Sequence, residues 1–572
     1  MGVSWCRTTI RARSIASRTD ADGPLKTSLR TLALSALVGC SAGAQGASSR
    51  VQAAPTYQPG IDVQDYAFAL ELPDTGAFLR GDATVTVHRS ARVKALRLDL
   101  VDALVVRRVT VNDSVVSATH GGGRIDIPLT GTTTTTVRVR VLYDGIVSDG
   151  LVVRKDAAGR WTWFGDNWPD RARQWLPTVD HPSDKASVSW TVIAPSSRTV
   201  VANGSLLSRQ PTTIRGVPMT ETRWYESRPI APYLMVIAAG TLQEYVIPDT
   251  ACHANDLRQC VVQSVYASPE LADWVPRAFS VAPRIMSLFE RLVGPFPYEK
   301  LAHLQSSTRF GGMENASAIF YDDKLFTSHT LGEGIIAHET AHQWFGDAVT
   351  EREWGHLWLS EGFATFFAAL WTREAHGDRA YRDEMAKIRE RILADRVVAE
   401  RPVLDTAERN YLSLLNTNSY QKGGYILYML HRELGDSAFF GGLRAYYADY
   451  RHGTALTDDL RRELERSSGR SLGQFFDQWL TRPGVPELTV SWRHDAGTSA
   501  LSIHVEQAAR NGAYALSLPV AVTDAAGVTE TVMVKVPASL DTVLVLPDKY
   551  RTRPRSVVVD PDNSLLARIR RS

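Results

Sequence analysis

The stretch Gly334-Ile-Ile-Ala-His338-Glu339-Thr-Ala-His342-Gln-Trp-Phe345, with Leu357-Trp-Leu-Ser-Glu361-Gly-Phe-Ala-Thr-Phe-Phe-Ala-Ala-Leu370 after it, decides how the rest of the chain is read. Both segments read as helices. Four residues turn a helix by about 400°, so His338 and His342 lie one turn apart on one face and can share a metal. Glu339 falls between them in angle, where a carboxylate can take a proton from metal-bound water without being one of the two ligands. A catalytic zinc takes three protein ligands and keeps one position open. Glu361 follows His342 after eighteen intervening residues, in an apolar run where an unpaired carboxylate would be costly. A metal removes that cost.

Working outward, Phe310-Gly-Gly-Met-Glu-Asn-Ala316 sets two glycines beside a carboxylate. Such glycines let a backbone edge approach a peptide, which can pair with it as an added strand. Downstream, Tyr420-Gln-Lys-Gly-Gly424 opens a further apolar helix. Residues 55–245 alternate apolar and polar side chains, at 83–87, 96–100, 125–127 and 137–141, and read as a sheet with one wet face. Helical texture with dense aromatics runs from about 250 to 484. Arg482-Pro-Gly-Val-Pro486 then punctuates the chain, and strand patterns return in 487–572, suggesting a small β-sandwich.

The 572 residues allow about three or four domains. At 44% hydrophobic and 22% charged, the composition excludes a disordered or fibrous chain, and a net charge of +2 leaves no footprint for nucleic acid. The excess sits at the front: residues 1–39 carry +4, so the remainder is −2. Arg30, the apolar run Thr31 to Val38 and the small residues after it read as an export signal within 1–46. Leu37-Val-Gly-Cys40 resembles a bacterial lipobox, giving a lipid anchor through Cys40, while Ala42-Gly-Ala44 offers a rival cut releasing a soluble protein. Export to the periplasm, membrane-anchored or free, is the expectation, with secretion as the alternative. Cys252 and Cys260 bracket seven residues and can close a disulfide loop in an oxidising compartment. A metal site built on Cys252, His253 and Cys260 lacks a fourth ligand nearby.

Together the motifs resemble the aminopeptidase N family of gluzincin zinc metallopeptidases, peptidase family M1, which also includes the leukotriene epoxide hydrolase. Its signature is G-x-M-E-N, H-E-x-x-H with a glutamate after eighteen residues, then Y-x-K-G. All three occur in order, at Gly311 to Asn315, His338 to Glu361 and Tyr420 to Gly423. Softer similarity covers Ala172-Arg-Gln-Trp-Leu-Pro177 with Asp180 and Pro182, Gly294-Pro-Phe-Pro-Tyr-Glu-Lys300, and Phe475-Phe-Asp-Gln-Trp-Leu480.

The resemblance implies a multidomain α+β fold: a saddle-like N-terminal β-sheet domain (55–245), a thermolysin-like, mainly helical catalytic domain (250–484) and a C-terminal β-sandwich (487–572). It implies one zinc ion per chain on His338, His342 and Glu361, with Glu339 deprotonating zinc-bound water and passing the proton to the leaving amine. Tyr420 would stabilise the oxyanion. Glu314 would bind the free α-ammonium of a peptide, and Gly311, Gly312, Met313 and Asn315 would complete the substrate site. Epoxide hydrolysis at the same metal, or an inactive peptide-binding protein, are the alternatives; a binding module has no need of a base and an oxyanion donor together. Relatives often carry a Gln or Glu ahead of the A-R-x-W-x-P stretch as a second amine contact. Here that region is Phe164-Gly-Asp-Asn-Trp-Pro169, so Asp166 or Asn167 could serve, or could simply form a turn. Asp347 reads either as a partner of a histidine N–H or as a surface aspartate. Larger relatives add a C-terminal helical domain that roofs the site; a short member without it would have a more open cleft. Oligomeric state and the preferred N-terminal residue stay open.

Overall fold

The computed structural model describes residues 57–248 and 261–571, apart from 509, 511, 547–549 and 551. The leader with Cys40, and the pair Cys252 and Cys260, lie outside the described residues.

Alternation builds the first part. On the strand Thr136–Ile146, Val137, Val139, Val141 and Tyr143 are buried while Arg138 and Arg140 face solvent; Arg140 pairs with Asp82 on the neighbouring strand. The sheet has eight strands in the order Ser205–Ile214, Val217–Ile230, Ala186–Pro195, Ile61–Glu71, Phe78–Arg89, Thr136–Ile146, Leu104–Val111 and Ser114–Val115. Ile61–Glu71 and Ala186–Pro195 pair in parallel, with Phe68 opposite Trp190. A four-stranded and a three-stranded sheet complete this region. The Ala172 to Pro177 stretch braces it. Trp175 stacks on Trp190 at 6.0 Å and donates its indole N–H to Asn167 Oδ1 at 2.7 Å, and Arg173 meets Asp180 at 2.9 Å.

Past residue 242 the structure departs from the helical reading. A five-stranded sheet comes first, ordered Gln243–Val246, Val262–Ala267, Lys300–Ser306, Ala318–Asp322 and Gly312–Met313. Its three central strands are parallel. Lys300–Ser306 is buried at six consecutive positions, so both faces are covered and no period of two is visible in the sequence. Gly312–Met313 forms the edge, antiparallel to Ala318–Asp322.

The longer helices are α1 (Ala282–Leu292), which connects two strands of this sheet, and after it α2 (Glu333–His342), α3 (Trp358–Ala394), α4 (Gly423–Tyr450) and α5 (Thr457–Ser468). α3 and α4 each break once, at Gly377 (φ +87°) and Gly435 (φ +77°), a left-handed conformation that glycine tolerates without a Cβ penalty. Residues 487–571 form two sheets, of four and three strands. Arg389 on α3 holds them through the Leu565 and Ala567 carbonyls. No helix among the described residues is long and apolar enough to cross a membrane.

One buried cation ties the first sheet to the helices. Lys185 donates to the carbonyls of Asp347 (2.7 Å), Ala348 (3.0 Å) and Gly453 (3.1 Å). Burial pulls its pKa down to about 7, opposed by the charges of Asp347 and Glu351. Lys185→Met keeps the aliphatic stem but orphans three buried carbonyls, and should cost about 3 kcal/mol. The check is the thermal midpoint of the variant, and a midpoint equal to wild type would mean that the ammonium contributes nothing net.

Candidate active site

Three helical segments and one strand edge converge on the site. α2 carries His338, Glu339 and His342, with Ile336, Ala337, Thr340 and Ala341 buried around them, and Glu333 in its first turn favours the positive end of the helix dipole. α3 carries Glu361. It crosses the start of α4 where Gly362 and Gly423 touch: a Cβ on Gly362 would lie 2.9 Å from the Gly423 carbonyl carbon. That approach brings the Tyr420 hydroxyl to 2.9 Å from Glu361 Oε1, to which it donates. Tyr420 sits in a wide turn, Asn418–Lys422, in which the Lys422 N–H donates five residues back to Thr417 O at 2.8 Å. Such turns recur at functional positions. Lys422 itself is buried and reaches the Gly484 carbonyl at 2.9 Å.

The metal-ligand geometry can be tested directly. His338 Nε2 and His342 Nε2 are 3.2 Å apart, and Glu361 Oε2 lies 3.3 Å from each. A tetrahedral ion with bonds of about 2.0–2.1 Å separates its ligands by about 3.3–3.4 Å. The three atoms therefore form one face of such a tetrahedron. Glu361 Oε2 is buried and has no hydrogen-bond donor among the described residues, and the residue is 4% exposed. Glu314, Glu339 and His342 form an overlapping group, but it omits His338 and uses two carboxylates that the equilateral set does not need. Three carboxylates around two imidazoles leave the floor of the site negative, which a dication balances.

Electrostatics follow from burial and crowding. Burial pushes the Glu339 carboxyl well above the usual range, with His342 pulling it down and Glu314 and Glu361 adding to the rise. Burial likewise raises Glu314. Burial works against the charge on Glu361, yet His342 and the two imidazoles facing the carboxylate hold it at about 2. The Tyr420 hydroxyl is pushed well up by burial and by the Glu361 charge, and keeps its proton.

The supporting contacts differ from the expectation at Asp347. That residue is fully buried, and its Oδ2 accepts from Gln343 Nε2 at 2.8 Å, so it is neither a surface aspartate nor the partner of a histidine. His342 Nδ1 instead meets Ser360 Oγ at 2.9 Å. Ser360 precedes Glu361, so one turn of α3 orients one ligand and supplies another. Gln343, directly after the second histidine, donates to the Glu314 carbonyl at 2.6 Å and accepts from the Ser317 N–H at 2.8 Å. It pins α2 to the glycine segment. At Gly312 a Cβ would stand 2.0 Å from Glu339 Oε1, so any side chain there would displace that carboxylate.

Gly311, Gly312, Met313, Glu314, His338, Glu339, His342, Glu361 and Tyr420 line one cavity of about 210 Å³. Asn315 does not: it is fully buried, and its side-chain amide has no partner among the described residues. Asp166 and Asn167 are also absent from the lining. Asp166 is clamped by Arg171 (2.8 Å) and Arg309 (3.0 Å). Asn167 spends its amide on the Pro232 and Met235 carbonyls and its oxygen on Trp175. The wall is completed by Trp168, Phe310 and Leu415, none of which the sequence motifs single out. A second cavity, of about 420 Å³, shares Gly311, Gly312, His338, Glu339 and Tyr420 with the first.

The sequence matches the Peptidase M1 N-terminal domain over residues 65–234 and the Peptidase family M1 domain over residues 277–479, together 373 of 572 residues. It is 27% identical to the tricorn protease-interacting factor F2 of Thermoplasma acidophilum over 76% of this chain and 54% of that protein. With the probable aminopeptidase 1 of Sulfurisphaera tokodaii it shares 28% identity over 57% and 42%. The chain thus spans about half the length of the curated relatives it matches. Among solved structures, the M1 zinc metallopeptidase of Deinococcus radiodurans superposes with a TM-score of 0.64 at 25% identity, covering 75% of this chain and 95% of that one. Legionella pneumophila aminopeptidase A reaches 0.76 over 89% and 60% at 18% identity, a likeness of fold. With both family domains matched in order around the His338, His342 and Glu361 triangle, the chain belongs to peptidase family M1, the aminopeptidase N family.

Proposed function

We propose that this protein is a zinc aminopeptidase that hydrolyses the first peptide bond of peptides with a free amino terminus. One observation carries the reading: a metal-ligand triangle, an unshared carboxylate, a phenol and a second buried carboxylate all open onto one cavity beside a strand edge. His338, His342 and Glu361 would hold the ion. Bound zinc supplies Lewis acidity, polarising the scissile carbonyl and making water more acidic.

The chain's own groups do the rest. The Gly312–Met313 edge pairs with substrate backbone, as an added strand would. Glu314, only 6% exposed, attracts the α-ammonium, which sets the cut one residue from the amino terminus. Glu339 makes no hydrogen bond to another described residue and is free to take a proton from the attacking water and return it to the leaving nitrogen. Tyr420, protonated across the physiological range, turns its hydroxyl from Glu361 Oε1 toward the developing oxyanion.

The direct test is hydrolysis of a panel of aminoacyl p-nitroanilides. Activity should disappear on chelation, return with zinc, and be absent on the N-acetylated substrate. Equal cleavage of blocked and free forms, or no turnover by metal-replete protein, would overturn the assignment. Glu339→Gln should retain zinc by elemental analysis while turnover falls by about 10²–10⁴; substantial residual activity contradicts its role as base. For Tyr420→Phe, kcat should fall by about 10²–10³ with little change in KM. A raised KM with intact kcat would make the phenol a ground-state contact instead.

A further inference from the structure

The two cavities meet at Glu339 and Tyr420 but differ beyond them. Glu314 lines only the first, along with the apolar surfaces of Trp168, Phe310 and Leu415. On the proposed function, the first cavity therefore holds the N-terminal residue, and the second lies on the leaving side of the scissile bond. Both halves of α3 contribute to the second, opposite residues of α2 and the Tyr420 turn. Thr365, Ala368, Ala369 and Thr372 line it from the first half of that helix, at the spacing of a single face. Glu384 and Ile388, one turn apart, line it from the second half, beyond the break at Gly377. Small residues on one wall leave the room that the other wall faces.

Glu384 is the unusual member. It is half-buried, and no described residue hydrogen-bonds or ion-pairs with it. No lysine or arginine lines the cavity. Lys387, one turn further on, is exposed and outside the lining, and the nearby Arg373 and Arg379 are engaged with Asp378 and Asp383. An unpaired carboxylate on the wall of a cavity that also presents Ile335, Ile388 and two alanines suits a long side chain with an aliphatic stem and a cationic tip.

We propose that this second cavity receives the side chain of the substrate's second residue, and that Glu384 selects lysine or arginine there. The inference rests on the aminopeptidase reading and extends it to the leaving side. The stem packs on Ile388 and the alanines, and the cation meets Glu384.

The test uses tripeptides Leu-Xaa-Ala with Xaa lysine, norleucine or glutamate, following released leucine. Norleucine keeps the lysine stem without the charge. In the wild-type protein, kcat/KM should be about tenfold higher for lysine than for norleucine, and lowest for glutamate. Added salt should shrink the lysine advantage. Glu384→Gln should bring the lysine to norleucine ratio close to one, and Glu384→Lys should place glutamate above lysine. Each ratio is internal to one preparation, so partial misfolding of a variant does not alter it, and a purely structural Glu384 would not invert the ranking. A wild-type ratio near one, or a ratio unchanged in Glu384→Gln, overturns the proposal. A panel of aminoacyl p-nitroanilides separates the two readings: turnover within the panel without lysine preference defeats only this inference, whereas no turnover of any member defeats the aminopeptidase assignment and this inference together.

Discussion

A carboxylate buried in the apolar core of a helix constrains everything near it. Glu361 lies among Trp358, Leu359, Phe363 and Ala364, all buried, where an isolated charge would cost several kcal/mol. Its two oxygens are used separately: Oε1 takes the Tyr420 hydroxyl and Oε2 faces both imidazoles. Satisfying that one group requires α2, α3 and the turn before α4 to come within a few ångströms of one point. The contact of Gly362 with Gly423 makes this possible, since a side chain at either position would push the helices apart. Ser360 and Gly346 extend the same constraint, because a Cβ on Gly346 would meet Ser360 Oγ at 2.3 Å and disturb the group that orients His342.

The surroundings are organised to hold that point still. Gln343 couples the metal helix to the glycine segment, and Lys185 couples the loop after it to the first sheet. Both act through backbone carbonyls rather than through long surface ion pairs, so water and salt weaken them little. The result is a rigid floor flanked by two recesses. Their asymmetry is chemical as well as geometric: the buried Glu314 carboxylate and aromatic walls on one side, small residues and Glu384 on the other.

Legibility in the sequence tracks how local each feature is. His338, Glu339 and His342 could be read because a helix converts spacing directly into direction. The strands at 83–87 and 137–141 could be read because one face of their sheet is wet. Lys300–Ser306 and Ala318–Asp322 could not, since burial on both faces erases the alternation. Asp166 and Asn167 looked available for a ligand and are instead consumed by Arg171, Arg309 and the Pro232 turn. Asp347 read as either a histidine's partner or a surface aspartate, and is a buried acceptor for Gln343. Ser360 and Gln343 adjoin motif residues, yet a serine or glutamine gives no periodic signal of its own.

By itself, then, the sequence determined which groups are available for chemistry: two imidazoles one turn apart, a glutamate between them, a further carboxylate in an apolar run, and a tyrosine ahead of a later helix. The arrangement of His338, Glu339 and His342 is a property of one short segment, governed by the pitch of the helix. Only the tertiary structure decided what surrounds that chemistry. Trp168, Phe310 and Leu415 form one wall although more than a hundred residues separate each from the next, and Glu384 lines the second cavity together with residues from the other side of the break at Gly377. No local pattern encodes such meetings. They follow from which helices can approach closely, and that is set by packing across the whole core.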